Sequence, residues 1–141
     1  MLLNDDQRMI RDMARKFATE RLAPHAAQWD REQTFPADAL REMGRLGLLG
    51  MLLPPAWDGA GADHVAYALA LEEIAAGDGA TSTIMSVHNS VGCMPIFRFG
   101  NDAQKEHFLR PMARGEWLGA FALTEPQAGS DASAIRTRAR R

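Results

Sequence analysis

Residues 121–131 read Phe-Ala-Leu-Thr-Glu-Pro-Gln-Ala-Gly-Ser-Asp and carry most of the information in the chain. The stretch is an apolar run that opens into a turn-rich loop, with the hydroxyl of Thr124 where the two meet. Gly129 and Ser130 can offer backbone amides and a hydroxyl to an anion, as in the backbone nests that hold phosphate. An ordinary turn capped by Ser130 and Asp131 explains the same residues, and spacing alone favours that simpler interpretation.

The apolar run begins earlier and predicts a β-strand over 117–124. Alternate residues fall on opposite faces: Trp117, Gly119, Phe121 and Leu123 on one, and Leu118, Ala120, Ala122 and Thr124 on the other. Both faces are mostly apolar, so the strand needs cover on two sides, and the preceding sequence offers it no partner strand. Since a lone buried strand leaves its backbone hydrogen bonds unmade, we expect a helical domain over 1–115 and the start of a truncated β-domain over 116–141.

The residues before this strand predict five helices. The first is capped by Asn4, and apolar residues from Met9 to Phe17 recur in it at helical spacing. The others are expected from Pro36 to Gly47, from Val65 to Ala76 after a cap at Asp63, from Thr81 to Met94, and from a capping box at Asn101 and Gln104 to Gly115. The expected fold class is therefore mainly α.

Composition narrows the class of protein. The 141 residues include 16 Lys+Arg and 18 Asp+Glu, a net charge of −2, which argues against a nucleic-acid surface. Hydrophobic residues make up 46%, enough for a core, and the single cysteine excludes an internal disulfide. No apolar run is long enough for a membrane helix and the first residues show no signal peptide. These features predict a globular, cytoplasmic chain with no membrane partner.

The histidines, the cysteine and the paired glutamates, residue types that often serve as catalytic groups or metal ligands, show no catalytic or metal-binding pattern here. The four histidines have no metal-ligand spacing with one another or with Cys93, so no metal site is expected. His88 lies on an apolar helix stripe, which favours a core histidine over a catalyst. Cys93 is interpreted as a small buried side chain and not as a nucleophile. Glu72 and Glu73 are adjacent on a helix and point in different directions, which argues against a paired-carboxylate site.

The segment Thr124–Asp131, Thr-Glu-Pro-x-Ala-Gly-Ser-Asp, resembles the signature of the acyl-CoA dehydrogenase family. Matching pieces of the family's amino-terminal region occur in order along nearly the whole chain: Leu22-Ala23-Pro24, Phe35-Pro36, Leu46–Gly50, Pro54, Leu71–Glu73, Ser86–Ser90, Phe99-Gly100 and Gln104-Lys105. The loop Trp57–Gly61 departs from the family's Gly-Gly-x-Gly run. The resemblance implies a five-to-six-helix amino-terminal domain of this type that ends in the first strand of an otherwise absent β-domain.

The same resemblance implies an FAD site between the family's domains. By residue-wise carry-over, Phe121, Leu123 and Thr124 would lie by the isoalloxazine ring, with the Thr124 hydroxyl on its polar edge. Gly129 and Ser130 would approach the FAD pyrophosphate, and Ser130 would also lie near the CoA thioester.

The fourth helix would take part in substrate binding. The resemblance places Met85, Val87 and Ser90 in the lining of the acyl pocket, a weaker assignment because apolar helix positions are also ordinary core positions.

The implied reaction is α,β-dehydrogenation of an acyl-CoA, in which a carboxylate removes the α-proton and the β-hydrogen leaves as hydride to the flavin. The family's base is a glutamate of the carboxy-terminal bundle, and no residue of this sequence matches it. We therefore expect the chain alone to be inactive. The implied partners are an acyl-CoA substrate, an electron-transfer flavoprotein and further copies of the chain in a homo-oligomer.

Two other functions stay open at this point. The chain can be a non-catalytic helical module that self-associates or binds a partner through an exposed apolar face. It can also belong to a flavoenzyme with related chemistry, such as an acyl-CoA oxidase.

Overall fold

The computed structural model describes residues 2–140, in which a helical region is followed by a segment without regular structure. Met1 and Arg141, the outermost residues of the two predicted domains, lie outside the described part. The helices are α1 (Asp5–Phe17), α2 (Ala26–Glu32), α3 (Ala37–Arg45), α4 (His64–Gly77), α5 (Gly79–Val87), α6 (Met94–Phe99) and α7 (Asp102–Ala113), with π-helical turns at Ala18–Leu22 and His88–Cys93. The predicted mainly α fold class is confirmed.

The predicted helix caps are confirmed by their hydrogen bonds. Asn4 accepts the backbone N–H of Gln7 at 2.8 Å, and the Gln7 side chain accepts the N–H of Asn4 at 3.1 Å. Asn101 and Gln104 form the same reciprocal box at the start of α7 with two 2.9 Å bonds. These boxes satisfy helix N–H groups that have no partner within the helix.

Asp63 caps α4 and also connects it to α1. One carboxylate oxygen accepts the N–H of Ala66 at 2.7 Å, and the other accepts the Gln7 side-chain amide at 2.8 Å. The Ala66 bond first, and the Gln7 bond second, lower the pKa of Asp63. At the other end of the pair, Arg15 binds Glu73 through two bonds of 2.6 and 3.0 Å. Helices α1 and α4 are thus held in register at both ends.

Two helices were not predicted. Helix α2 buries none of its residues, so it has no apolar periodicity to reveal it. Helix α6 contains Pro95 in its first turn, where the missing N–H costs no helical hydrogen bond. The single helix predicted over 81–94 is therefore wrong at its end: α5, a π-helical turn and α6 follow one another, and the helical path continues to Phe99.

The core has two clusters of buried side chains. The first joins α1, α3, α4, α5 and the segment 48–51, and includes the fully buried Leu22, Met43, Ile74 and Met85. The second contains Leu53, Cys93, Leu109, Met112 and Ala113 and fixes α7 to the turn that follows α5. Complete burial of such side chains contributes roughly 1.5–3 kcal/mol each.

The strand predicted over 117–124 is not formed in residues 2–140. The segment leaves α7 without helical or strand assignment, and the one β-bridge described joins Glu125 to Ala128 within the following loop. The reason is that a β-strand requires a hydrogen-bonded partner strand, and the preceding sequence offers none. Across these same residues, no helix has the length and apolar character needed to cross a bilayer.

Candidate functional site

The segment 117–124 is attached to the helical core through His88. The imidazole is completely buried; its Nδ1 accepts the backbone N–H of Gly119 at 3.0 Å and its Nε2 lies 3.1 Å from the carbonyl oxygen of Met112. A carbonyl only accepts and an N–H only donates, so the histidine is neutral and carries its proton on Nε2. Burial lowers the pKa of His88, against an opposing contribution from the Met112 bond. The predicted core histidine is confirmed.

Glycines allow the segment to lie close to the turn His88–Cys93. A Cβ atom on Gly119 would lie 3.3 Å from Cα of Gly92 and 2.8 Å from the Met112 methyl group. The second of these distances is shorter than real Cβ contacts, but the Met112 methyl group is the end of a flexible side chain and can shift, so glycine at 119 eases the close approach without being required for it. The predicted substrate-binding helix and the predicted cofactor segment meet in space at the His88–Gly119 hydrogen bond, and no local sequence signal indicated that contact.

Beyond Gly119 the segment exposes its apolar side chains. Phe121 and Leu123, the two apolar residues predicted to contact flavin, are 51% and 41% exposed. Trp117 and Leu118 at the start of the segment are exposed to a similar degree, and the Thr124 side chain is also exposed. Adjacent exposed apolar residues on both faces of one segment are typical of a surface that another group covers.

Glu125 closes the loop that follows Thr124. Its carboxylate accepts the backbone N–H groups of Arg136 and Thr137, each at 2.9 Å, together with the Thr137 hydroxyl and the Gln127 side-chain amide. Its own backbone exchanges two hydrogen bonds with Ala128. These donors, the Thr137 hydroxyl first, lower the pKa of Glu125 to about 2. One carboxylate thus ties both ends of the loop 125–137 together.

The closed loop leaves Gly129 and Ser130 at its surface. Neither backbone N–H donates to another group within residues 2–140, and a Cβ placed on Gly129 would meet nothing within 4 Å. Asp131 accepts the N–H of Ser133 at 3.1 Å and caps a short 3₁₀ turn, Ala132–Ala134. The arrangement combines a capped turn with two free amides, so the two interpretations of this loop made from the sequence are compatible.

The Glu125 closure leads to a prediction. The pKa of Glu125 lies below its ordinary value of 4.5, so the closed loop favours the ionised carboxylate. The stability that Glu125 contributes to the loop is therefore complete above pH 4.5 and is lost as the pH falls toward 2. We expect Glu125→Gln to speed hydrogen exchange at the amides of Arg136 and Thr137 at pH 6. Glu116→Gln, which removes an exposed carboxylate paired with Arg114 outside the loop, is the control. Unchanged exchange in Glu125→Gln would contradict the closure.

The residues predicted to line an acyl pocket occupy different environments. Met85 is completely buried in the first core cluster, whereas Val87 is partly buried at the end of α5. The Ser90 hydroxyl donates to the carbonyl oxygen of Ser86 at 2.7 Å, and Tyr67 donates to the same oxygen at 3.3 Å. A pocket lining that includes Met85 stays a prediction.

Two large clefts within residues 2–140 are lined by other residues. An open cleft of about 430 Å³ lies between Trp29 and Asp78, and another of about 530 Å³ lies between Arg45 and Arg114. Neither includes any residue of 117–130. The predicted cofactor residues are themselves exposed, so they lie on an open surface, as one wall of a site would.

The structure supports the interpretation of Cys93 as a buried side chain. Burial raises the pKa of its thiol to about 12, so the nucleophilic thiolate is disfavoured. No group of three or more His, Cys, Asp or Glu side chains is placed to hold a metal ion within residues 2–140.

Known proteins resemble the chain along almost all of its length. A family model described as "Acyl-CoA dehydrogenase, N-terminal domain" matches residues 4–116. The mitochondrial short-chain specific acyl-CoA dehydrogenase of Rattus norvegicus is 46% identical over 138 residues, which are 98% of this chain and 34% of the relative.

Solved structures show the same fold. Butyryl-CoA dehydrogenase from Megasphaera elsdenii has a TM-score of 0.90 and 36% identity, covering 97% of this chain and 37% of that one. A glutaryl-CoA dehydrogenase from Mycobacterium smegmatis, solved in complex with FADH2, has a TM-score of 0.92 and 40% identity over 99% of this chain and 36% of that one.

These similarities cover only part of each relative. The chain spans about a third of the length of the proteins that it matches. Within that third, the family match, the identity and the fold all agree with the Thr-Glu-Pro-x-Ala-Gly-Ser-Asp signature at 124–131. The chain therefore belongs to the acyl-CoA dehydrogenase family and corresponds to its N-terminal helical domain together with the segment that follows it.

Proposed function

We propose that this chain supplies one wall of the FAD site and part of the acyl pocket in an FAD-dependent acyl-CoA dehydrogenase. The observation that carries the proposal is the surface from Phe121 to Ser130. Two exposed apolar side chains lie there beside the Thr124 hydroxyl, and the loop closed by Glu125 follows with the free amides of Gly129 and Ser130.

The chemistry of these residues fits FAD. An apolar surface suits the face of a flavin ring, a hydroxyl suits its polar edge, and free backbone amides suit a diphosphate. Phe121 and Leu123 would hold the ring, Thr124 would orient it, and Gly129 and Ser130 would bind the pyrophosphate. Bound FAD supplies the hydride acceptor for α,β-dehydrogenation.

The remaining assignments follow the family resemblance. Val87, Ser90 and Met85 would contribute to the acyl pocket, and Ser130 would also lie near the CoA thioester. The substrate would be an acyl-CoA, and the reduced cofactor would pass its electrons to an electron-transfer flavoprotein. Trp117 and Leu118, which are exposed and are not assigned to FAD, support assembly into a homo-oligomer.

The proton-removing glutamate of the family has no match in this chain. We infer that residues 1–141 alone bind and position but do not turn over substrate. Loss of the α-proton needs a base within hydrogen-bond reach of it.

The proposal is tested by FAD binding. After incubation with FAD and gel filtration, we expect flavin absorbance to elute with the protein. A fluorescence titration should show about 2- to 10-fold weaker binding for Thr124→Val, because one hydrogen bond contributes about 0.5–1.5 kcal/mol.

Thr83→Val is the matched control, since Thr83 is an exposed threonine whose hydroxyl donates to the carbonyl oxygen of Gly79 in its own helix. Equal affinity of Thr124→Val and wild type would contradict the role of Thr124. A colourless chain that elutes as an oligomer would instead favour the self-association module.

A further inference from the structure

The buried His88 has no role in the proposed reaction, yet both of its ring nitrogens are used. Its Nδ1 accepts a hydrogen bond from the backbone N–H of Gly119, and its Nε2–H donates one to the carbonyl oxygen of Met112. It lies in the π-helical turn His88–Cys93, between the helix that carries Val87 and the segment that carries Phe121. No other side chain makes a hydrogen bond to residues 117–124 within the described part of the chain.

We propose that His88 is a positioning residue that holds the flavin-contacting segment 117–124 against the helical core, and that it does so only while its imidazole is neutral. The inference rests on the proposed function for the role of the segment. The attachment itself can be measured without flavin.

The sensitivity to charge follows from the hydrogen bonds. Protonation puts a second N–H on the ring, so Nδ1 then faces the Gly119 N–H as a donor facing a donor. Because the ring is completely buried, solvent does not reach Nδ1 to compensate for the lost hydrogen bond. The neutral form is therefore the only one that binds both partners, and the charged form releases Gly119.

No nearby charge compensates for protonation. Helix α5 has no titratable side chain, and the turn that holds His88 adds only Cys93. The neighbouring elements carry the exposed Arg98 on α6, the Arg114–Glu116 pair beyond α7, and five groups on α7: Asp102, Lys105, Glu106, His107 and Arg110. The pKa of His88 is lowered by burial and is opposed only by the Met112 bond.

The sign of the effect follows from this direction. The folded state disfavours the proton relative to the unfolded state, whose histidine titrates near 6.5. The attachment is complete above pH 6.5 and weakens as pH falls below that value. The carboxylates with lowered pKa values, Asp63, Glu73, Glu116 and Glu125, respond only below their ordinary range near 4.

The experiment is NMR on the whole chain between pH 7.5 and 5.0. Ring ¹⁵N shifts should show the Nε2–H tautomer of His88 at pH 7.5. The protection factor of the Gly119 amide should be constant above pH 6.5 and should fall by up to about tenfold per pH unit below it. His88→Gln, which keeps a donor and an acceptor but does not titrate, should show a flat profile.

His107→Gln is the matched control. His107 is a second histidine beside the segment, with its ring 5.3 Å from that of Trp117. Its removal should leave the Gly119 profile of the wild type unchanged. An Nδ1–H tautomer, or a Gly119 protection factor that stays constant while His88 protonates, overturns the proposal. The His88 tautomer and the Gly119 protection factor are both measured on the wild type, so they test the proposed attachment even if His88→Gln does not fold.

FAD titrations at the two pH values separate this inference from the proposed function. We expect FAD affinity to fall at pH 5.0 in wild type and in His107→Gln but to stay level in His88→Gln. If the wild type binds FAD equally well at both pH values although NMR shows that Gly119 is released at pH 5.0, the link between His88 and the flavin segment is overturned. No FAD uptake by any variant contradicts the proposed function in this chain, and the NMR result still decides the attachment.

Discussion

Gly44→Ala is expected to destabilise the chain by about 2 kcal/mol or more, although alanine is the better helix former. Gly44 lies within α3, where the change from glycine alone would contribute up to about 1 kcal/mol of stability. A Cβ atom at this position would lie 2.3 Å from the carbonyl oxygen of Arg114 and 2.6 Å from Cα of Gly115. Both atoms are backbone, so no rotamer change relieves the clash, and overpacking of this kind costs about 1–3 kcal/mol or more.

The control for Gly44→Ala is the same substitution at Gly79, the first residue of α5. There a Cβ would meet nothing within 4 Å, so Gly79→Ala should leave stability unchanged or raise it by up to about 1 kcal/mol. Urea unfolding followed by circular dichroism measures both. Equal midpoints for Gly44→Ala and wild type would contradict the close packing of α3 against the end of α7.

The contact of Gly44 with the backbone of Arg114 and Gly115 also positions the proposed flavin segment. Gly115 adopts a positive φ of 72°, which glycine allows without strain, and it turns the chain out of α7 directly before residue 117. Packing of Gly44 against this turn fixes where the segment begins, and His88 fixes it again at Gly119. We therefore expect Gly44→Ala to lower the protection of the Gly119 amide even in the fraction of molecules that stays folded.

Local sequence signals predicted the parts of the fold that depend on neighbours in the chain. The capping boxes at Asn4 and Asn101 and the cap at Asp63 need only residues three positions apart. Gly47 was predicted to end the second helix and has the positive φ of 79° that such an end requires. Each of these features is encoded within one helical turn, so the sequence alone was sufficient.

Features that depend on distant contacts could not be predicted in the same way. Gly44 is an ordinary helix residue until Arg114 and Gly115 pack against it, 70 or more residues later in the chain. His88 was expected in the core, but its two partners lie 24 and 31 positions away. The flavin assignments of Phe121 and Thr124 came from the family resemblance, since spacing alone favoured an ordinary turn for the loop that follows them.

Asn89→Asp is the second substitution with a large expected effect, a loss of about 3–5 kcal/mol at pH 7. Asn89 is buried; its side-chain amide donates to Leu48 O at 2.9 Å and Met85 O at 3.0 Å, and its carbonyl accepts the N–H of Met51 at 2.9 Å. Aspartate removes both donors and leaves a carboxylate facing two carbonyl oxygens. A buried charge without a partner costs this much, which is a large share of the 5–15 kcal/mol that typically stabilises a domain.

Asn101→Asp is the matched control because it makes the same chemical change at an exposed helix cap. Aspartate also caps helices, so the Asn101 variant should stay within about 0.5 kcal/mol of wild type. Burial should raise the pKa of the new carboxyl at position 89, so the loss should shrink as pH falls and the neutral acid regains one donor. Urea unfolding at pH 7 and pH 5 measures both effects. A loss below 1 kcal/mol for Asn89→Asp would show that Asn89 does not hold the segment 48–51 against the end of α5.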